Sequence, residues 1–334
     1  MKITIKQVRG GSGADVWADN LCRGINSQGY QCMLDLQPVM YQFFPALGRF
    51  SANPENSDIL HGNSWNAFAF KKDQPLVVTE HHVVHDPVYD PYRTFPQKVF
   101  HRWIYRCEKK SFEVADAVTC VSQYTKNKVE ESFGFQDSQV IYNGIDTAVF
   151  RPIEHMNNVW SIPRDRTVLF FAGNLSRRKG ADLIPAIMKQ LGEKYVLLLA
   201  TGQRGPSFSS IHNIINIGHQ DLAHLVMAYN RCDIFLSASR LEGFGLSVAE
   251  AMACGKPVVA TNGSSLPELV IDGKGGYLCE IDNVQDFAEK ISMLADDENM
   301  QKKMGIFNRQ RVEDNFMIEN MTRGYLAIYE SLLH

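Results

Sequence analysis

The 334-residue chain has no uncharged apolar run near the roughly 18 residues that span a bilayer. Its first residues, MKITIKQVRGG, reach glycine before any apolar signal-peptide core develops. A membrane-spanning or exported chain is therefore not expected, and the sequence reads as soluble and cytoplasmic. Neither sign of charge is in excess: 34 Lys and Arg stand against 37 Asp and Glu, a net charge of −3. That balance supplies no field to draw in nucleic acid, and none is expected as a partner. No Cys-x-x-Cys pair occurs, and the seven cysteines are odd in number and widely spaced. Neither a thiol-chelated metal nor a disulfide framework is indicated, and they read as reduced core residues. Low-complexity sequence is also missing, so a large core can form.

The length is about twice that of an ordinary domain, which points to two α/β domains. The first half opens with an alternating strand over residues 2–8, then the turn Gly10-Gly11-Ser12-Gly13. A helical period on Val16, Trp17, Leu21 and Ile25 follows and stops at Gly29. Short apolar runs at 58–60, 76–79, 117–121 and 140–142 continue a parallel-sheet alternation. Prolines 87, 91 and 96 predict a loop from His85 onward. The second half alternates more plainly, with strands at 167–172, 195–200, 234–237 and 258–261 and helices at 182–191, 222–230 and 248–254. Residues 143–166 read as a linker. We divide the chain into domains 1–150 and 151–307. Segment 308–334 is read as one long amphipathic helix packing across the domain boundary.

The most informative segment is Arg240-Leu241-Glu242-Gly243-Phe244-Gly245-Leu246-Ser247-Val248-Ala249-Glu250, between a buried strand and a helix. In an open α/β sheet the ligand crevice lies beyond the carboxyl ends of the strands, where this loop must sit. Its backbone N–H groups and the helix dipole make an anion site. Glu250, expected in the first helical turn, can reach a ribose diol, and Glu242 can accept from sugar hydroxyls. The bland alternative is a helix-stabilising Glu250 beside a solvated Glu242. A second strand–turn–helix unit, Gly173-Asn174-Leu175-Ser176-Arg177-Arg178-Lys179-Gly180, offers cations to a diphosphate leaving group, or else a solvated basic turn. No Asp-x-Asp triplet exists to clamp a diphosphate through a metal, so no metal or other cofactor is expected.

Together, Glu242-x7-Glu250, the intervening Gly243-Phe244-Gly245-Leu246, the run from Ala251 to Val259, and Asn143-Gly144-Ile145-Asp146 through Pro152 resemble family 4 of the retaining glycosyltransferases. The resemblance implies the GT-B fold, an α/β architecture of two Rossmann-like domains with substrates meeting in the cleft between them. It also implies front-face transfer of a hexosyl unit from a nucleoside diphosphate sugar to a hydroxyl of a glycan, glycolipid or small acceptor. Lys179 and Arg178 would neutralise the diphosphate, with Arg177 as an alternative. Asn174 would stand at the place of the family's usual Arg. Glu242 would position the sugar, and donor base contacts would fall around residues 216–220. Gly11 and Gly13 would let amides approach the donor phosphate, and His81 would contact the transferred sugar, with His82 as alternate. Asp15 is a candidate for an acceptor hydroxyl, or simply for helix capping.

Two rivals stay open. Gly11-Ser12-Gly13-Ala14-Asp15-Val16 is a partial dinucleotide fingerprint with Val16 in place of the third glycine, and Asp35 is the only acid placed to bind a ribose, so an NAD-dependent oxidoreductase is weakly supported. Asn174 motivates a sugar-nucleotide-binding subunit without turnover. His81, His82 and His85 cluster without metal-ligand spacing. Residues 100–110 mix aromatic and basic side chains, which suits an anionic membrane surface and equally a core face with solvated cations.

Overall fold

The computed structural model describes residues 1–51, 57–154, 159–163, 165–201, 208 and 211–334; residues 155–158 and 164 of the expected linker lie outside the described residues. The chain forms two compact units, one of residues 1–144 with 316–334 and the other of residues 145–315.

The first unit runs β1 (Lys2–Val8), α1 (Gly13–Ser27), β2 (Gln31–Gln37), β3 (Ile59–Asn63), β4 (Leu76–Glu80), α2 (Phe95–Val114), β5 (Ala117–Cys120), α3 (Gln123–Phe133) and β6 (Ser138–Val140). Its six strands lie in the order β2-β1-β3-β4-β5-β6, every pair parallel. The second unit runs β7 (Thr167–Ala172), α4 (Ile184–Leu191), β8 (Tyr195–Ala200), β9 (Ile214–Gly218), α5 (Leu222–Arg231), β10 (Ile234–Ser237), α6 (Leu246–Ala253), β11 (Val258–Thr261), α7 (Leu266–Leu269), β12 (Gly276–Cys279), α8 (Val284–Ala295) and α9 (Glu298–Asn315). Its sheet is parallel in the order β12-β11-β10-β7-β8-β9. The order reverses at β7, so the loops leaving β7 and β10 flank the switch point where open α/β sheets bind ligands.

In the second unit the strands β7, β8 and β10 are nearly continuous buried apolar runs, the pattern of parallel strands covered on both faces. The edge strands β9 and β12 are only partly buried, and their weaker apolar signal is why sequence periodicity passed over them. Strand β6 lies two residues before the expected run. The proline-rich stretch is more ordered than a loop. A tight helical turn spans Pro87–Tyr92, and α2 begins at Phe95 behind a Thr94 and Gln97 capping box, with Pro96 in the first turn, where its missing N–H is harmless. All seven cysteines are free, six of them buried.

The expected C-terminal helix is two helices. After α9 the chain breaks at Phe316 and Met317 and continues as α10 (Ile318–Ser331), which belongs to the first unit. Met321, Tyr325, Ile328 and Tyr329 pack with Ile3, Ile5, Trp17, Leu21 and Ile25. The Tyr329 hydroxyl lies 2.6 Å from His61 Nδ1, whose Nε2 lies 2.7 Å from Thr79 Oγ1. At residue 144 the main chain touches α10 directly: Gly144 N–H donates to Met321 Sδ, and its carbonyl accepts from Asn20 Nδ2 at 3.0 Å. A Cβ there would lie 2.5 Å from the Ile318 Cα. Gly144→Ala should therefore destabilise the protein by about 2 kcal/mol through overpacking. Thermal unfolding measures the loss, and hydrogen exchange should show it concentrated in α10.

Candidate active site

In the second unit, the strand-to-loop transitions after β7 and β10 bring together cations and carboxylates more than sixty residues apart in sequence. Ser176 starts the tight turn Arg177–Lys179, its hydroxyl accepting from the Lys179 N–H. Gly180 ends that turn in the left-handed region, φ +69°, and a Cβ there would lie 2.0 Å from the Ala238 carbonyl oxygen. Only glycine lets the β7 loop approach the end of β10 this closely. The Arg240 N–H donates to the Arg178 carbonyl at 2.8 Å, which completes the backbone seam.

Lys179 Nζ and Glu242 Oε1 form a short ion pair across this seam. Arg178 Nη1 donates to the Leu241 carbonyl at 2.8 Å and lies 3.6 Å from Glu242 Oε2. Burial works to raise the pKa of Glu242, but the charges of Lys179 and Arg178 outweigh it and hold the carboxyl at about 2. Burial pulls the Lys179 ammonium below the usual lysine range, against the attraction of Glu242. The Glu242 backbone is fixed as well: its N–H donates to Ser264 Oγ at 3.0 Å, and its carbonyl accepts from Ser265 Oγ at 3.2 Å.

Gly243, Phe244 and Gly245 lead into α6, with Gly245 at φ +103° as the residue before the helix. Among the described residues no side chain caps α6, so the first-turn N–H groups of Leu246 and Ser247 have no partner within the helix. Glu250 lies in the second turn of α6, not the first as expected, because the helix starts at Leu246. It is buried, and its Oε2 accepts from the Tyr229 hydroxyl at 2.6 Å. Burial raises its pKa to about 7, with Tyr229 and Lys179 only partly opposing the shift. Asn174 is exposed in the β7 loop. Residues 216–220 lie at the end of β9, two strands from β7, where the Gly218 N–H donates to Asn216 Oδ1 at 2.9 Å.

The sequence singled out this segment but gave Arg240 no role. Its guanidinium is buried, bidentate to Asp182 at 2.7 and 2.9 Å, and bonded to Asp282 at 2.6 Å and to the Arg177 carbonyl. Burial opposes its charge, yet the two carboxylates raise its pKa above the usual arginine range. Arg240 thus holds the Arg177–Lys179 turn in register with Glu242. An arginine at the end of an apolar strand was the available signal, and its partners lie 58 and 42 residues away. Tyr229, the partner of Glu250, carried no signal beyond helical spacing.

The remaining candidates lie in the first unit. Gly11, at φ +65°, and Gly13 are exposed at the turn that opens α1. The Asp15 carboxylate accepts from Gln7 Nε2 and from the N–H groups of Gly10 and Ser12, forming a capping box that uses its acceptor capacity locally. His81 follows β4, its ring 4.7 Å from that of Trp17, and burial lowers its pKa to about 4, so it is neutral at pH 7. His82 turns toward Trp65 and His85 toward Tyr105 and Phe133, so the three imidazoles diverge. Among the described residues no three His, Cys, Asp or Glu side chains are grouped to hold a metal ion.

Known proteins resemble the chain in sequence and in fold. The family model "Glycosyl transferases group 1" matches residues 152–311, and "Glycosyltransferase Family 4" matches residues 31–149. N-acetyl-alpha-D-glucosaminyl L-malate synthase of Bacillus anthracis is 31% identical over 235 residues, which are 66% of this chain and 61% of that protein. Sucrose-phosphate synthase from Thermosynechococcus elongatus superimposes with a TM-score of 0.87 at 19% identity, covering 99% of both chains. Anabaena HepE, solved in complex with UDP and glucose, superimposes with a TM-score of 0.75 at 16% identity over 99% of this chain and 100% of its own. The architecture of two parallel six-stranded sheets is the GT-B fold, and the chain belongs to the group 1, family 4 glycosyltransferases.

Proposed function

We propose that the protein is a retaining, metal-independent glycosyltransferase that moves a hexosyl unit from a nucleoside diphosphate sugar to a hydroxyl of a glycan, glycolipid or small acceptor. The observation that carries this reading is the pairing of Lys179 and Arg178 with Glu242 beside the uncapped start of α6. Two cations and the N–H groups at the uncapped start of α6 suit a diphosphate, whose charge grows as the bond to the sugar breaks. Supply of that charge by side chains is the basis for proposing no metal. HepE, with its bound UDP and glucose, is consistent with this class of donor.

The two carboxylates receive different roles. Glu242 is ionised and neutralised by its own cations, which suits accepting bonds from sugar hydroxyls and argues against a lasting covalent intermediate on it. Transfer is then proposed to proceed on one face of the sugar, with the departing diphosphate oxygen taking the acceptor proton. Glu250, with one oxygen engaged by Tyr229, is assigned to the ribose diol. In the first unit, His81 is assigned to the transferred sugar and Gly11 and Gly13 to donor phosphate. The three local bonds of Asp15 favour helix capping over its alternative role at an acceptor hydroxyl. Asn174 supplies no cation, which keeps one second reading in view: a subunit that binds a sugar nucleotide without turnover.

Lys179→Ala and Glu250→Ala should each lower donor use about a hundredfold or more with the fold intact. The measurement is thermal stabilisation by a panel of UDP, GDP, ADP, dTDP and CMP sugars, with NAD(P) included, followed by turnover with acceptors. Stabilisation without product would favour the binding subunit, and stabilisation by NAD(P) alone would sink the reading. Lys179→Met removes the nearest counter-charge, so the Glu242 carboxyl should titrate well above about 2 by carbon NMR; an unchanged value would assign its ionisation to Arg178. A diol donating to Glu250 favours the carboxylate. Donor affinity should therefore rise between about pH 6 and about pH 8, through the Glu250 pKa of about 7, and Glu250→Gln should flatten that profile.

A further inference from the structure

Helix α2 buries one side and leaves the other strongly patterned. Ile104, Cys107, Ser111 and Phe112 face the first unit's core. On the outer arc Phe95, Val99 and Trp103 recur every four residues and are 80%, 53% and 43% exposed. Beside them, also every four residues, run Lys98, Arg102 and Arg106, all exposed. At 3.6 residues per turn the two stripes are contiguous, so apolar and basic side chains share one face instead of opposing each other. Lys109 and Lys110 extend the basic stripe, and Glu113 in the last turn is the one exposed acid of the helix.

A second segment enlarges the face. Phe43 packs its ring 6.1 Å from Phe100 of α2, and Phe43 and Phe44 are 55% and 62% exposed. Residues 38–51 contain no acid, and their one cation, Arg49, lies over the ring of Phe50 at 5.6 Å. Large aromatic side chains held at the surface by a helix and a tight turn stay hydrated, and burying them in an apolar layer would release that water. Cations interleaved with them oppose docking to an ordinary protein core.

We infer that this face docks the protein onto an anionic lipid bilayer, its aromatic side chains entering the headgroup region and its lysines and arginines pairing with lipid phosphates. Charge complementarity selects this partner: five exposed cations stand against one exposed carboxylate on α2, although the whole chain is slightly acidic. Among the described residues no helix is long and apolar enough to cross a membrane, so the association is with the surface. The long stems of Lys98 and Arg102 let the aromatic rings sit deeper than the charges. The inference stands apart from the donor-site reading, since none of these residues belongs to it.

The test is co-sedimentation of the full chain with phosphatidylcholine vesicles and with mixed phosphatidylcholine and phosphatidylglycerol vesicles. Binding is expected to the mixed vesicles only and to weaken with added salt. The double variant Arg102→Glu with Arg106→Glu, and separately Phe95→Ser with Trp103→Ser, should each reduce binding about tenfold or more. Both pairs are exposed, so thermal unfolding should match the parent and show that the fold is retained. Failure to bind mixed vesicles, or binding that both variants leave unchanged, would overturn the inference. A concentration-dependent dimer abolished by the same variants would assign the face to a second copy and equally overturn it.

Discussion

The ion pair between Lys179 and Glu242 sets the geometry on which the rest of the second unit's site depends. Either charge alone would be costly at that depth, because the low-dielectric surroundings disfavour an unpaired ion. Together they are stable, and pairing them requires the β7 and β10 loops to stay in contact. Arg240 holds the same two loops from below through Asp182, Asp282 and the Arg177 carbonyl, and Gly180 removes the Cβ that would push them apart. A polar clasp is therefore built into the switch point of a sheet whose strands are otherwise apolar.

The neighbouring carboxylates show how one short motif yields two chemical states. Glu242 lies on the loop among cations and is held at about 2, whereas Glu250 lies on the inward face of α6 under Tyr229 and is raised to about 7. Eight positions separate them in sequence, yet they differ because one has an opposite charge within bonding distance and the other has mainly burial. The roles proposed for them, Glu250 at a ribose and Glu242 at the transferred sugar, draw on this division, since one acceptor stays charged while the other responds to pH near neutrality.

In the first unit, α10 returns after the whole second unit and completes a core that the preceding strands leave open, with Tyr325 and Tyr329 meeting His61 and Thr79 beneath the sheet. Helix α2 is divided in another way. Its inner side is buried and carries the Glu108 carboxyl among apolar side chains, and its outer side carries aromatic rings next to cations. The sequence alone showed the mixture of residue types, and the fold sorted it into a buried side and an exposed side.

What the sequence determined by itself was whatever depends on neighbours along the chain. The strand at 2–8 was legible from its alternation, and those at 167–172, 195–200, 234–237 and 258–261 because buried parallel strands are short apolar runs punctuated by turns. The turn glycines and the Glu242 to Glu250 motif were legible because backbone conformation and helix entry are local. The edge strands β9 and β12, the break at Phe316 and Met317, and the return of α10 to the first unit were not, since each follows from packing against distant surfaces. The same holds within the site. Residue types announced cations and carboxylates, but only the tertiary structure decided that Lys179 pairs with Glu242, that Arg240 clasps two loops, and that Asp15 is occupied by its own helix end. Electrostatic energy depends on distance in space, and distances between residues sixty positions apart are set by the fold.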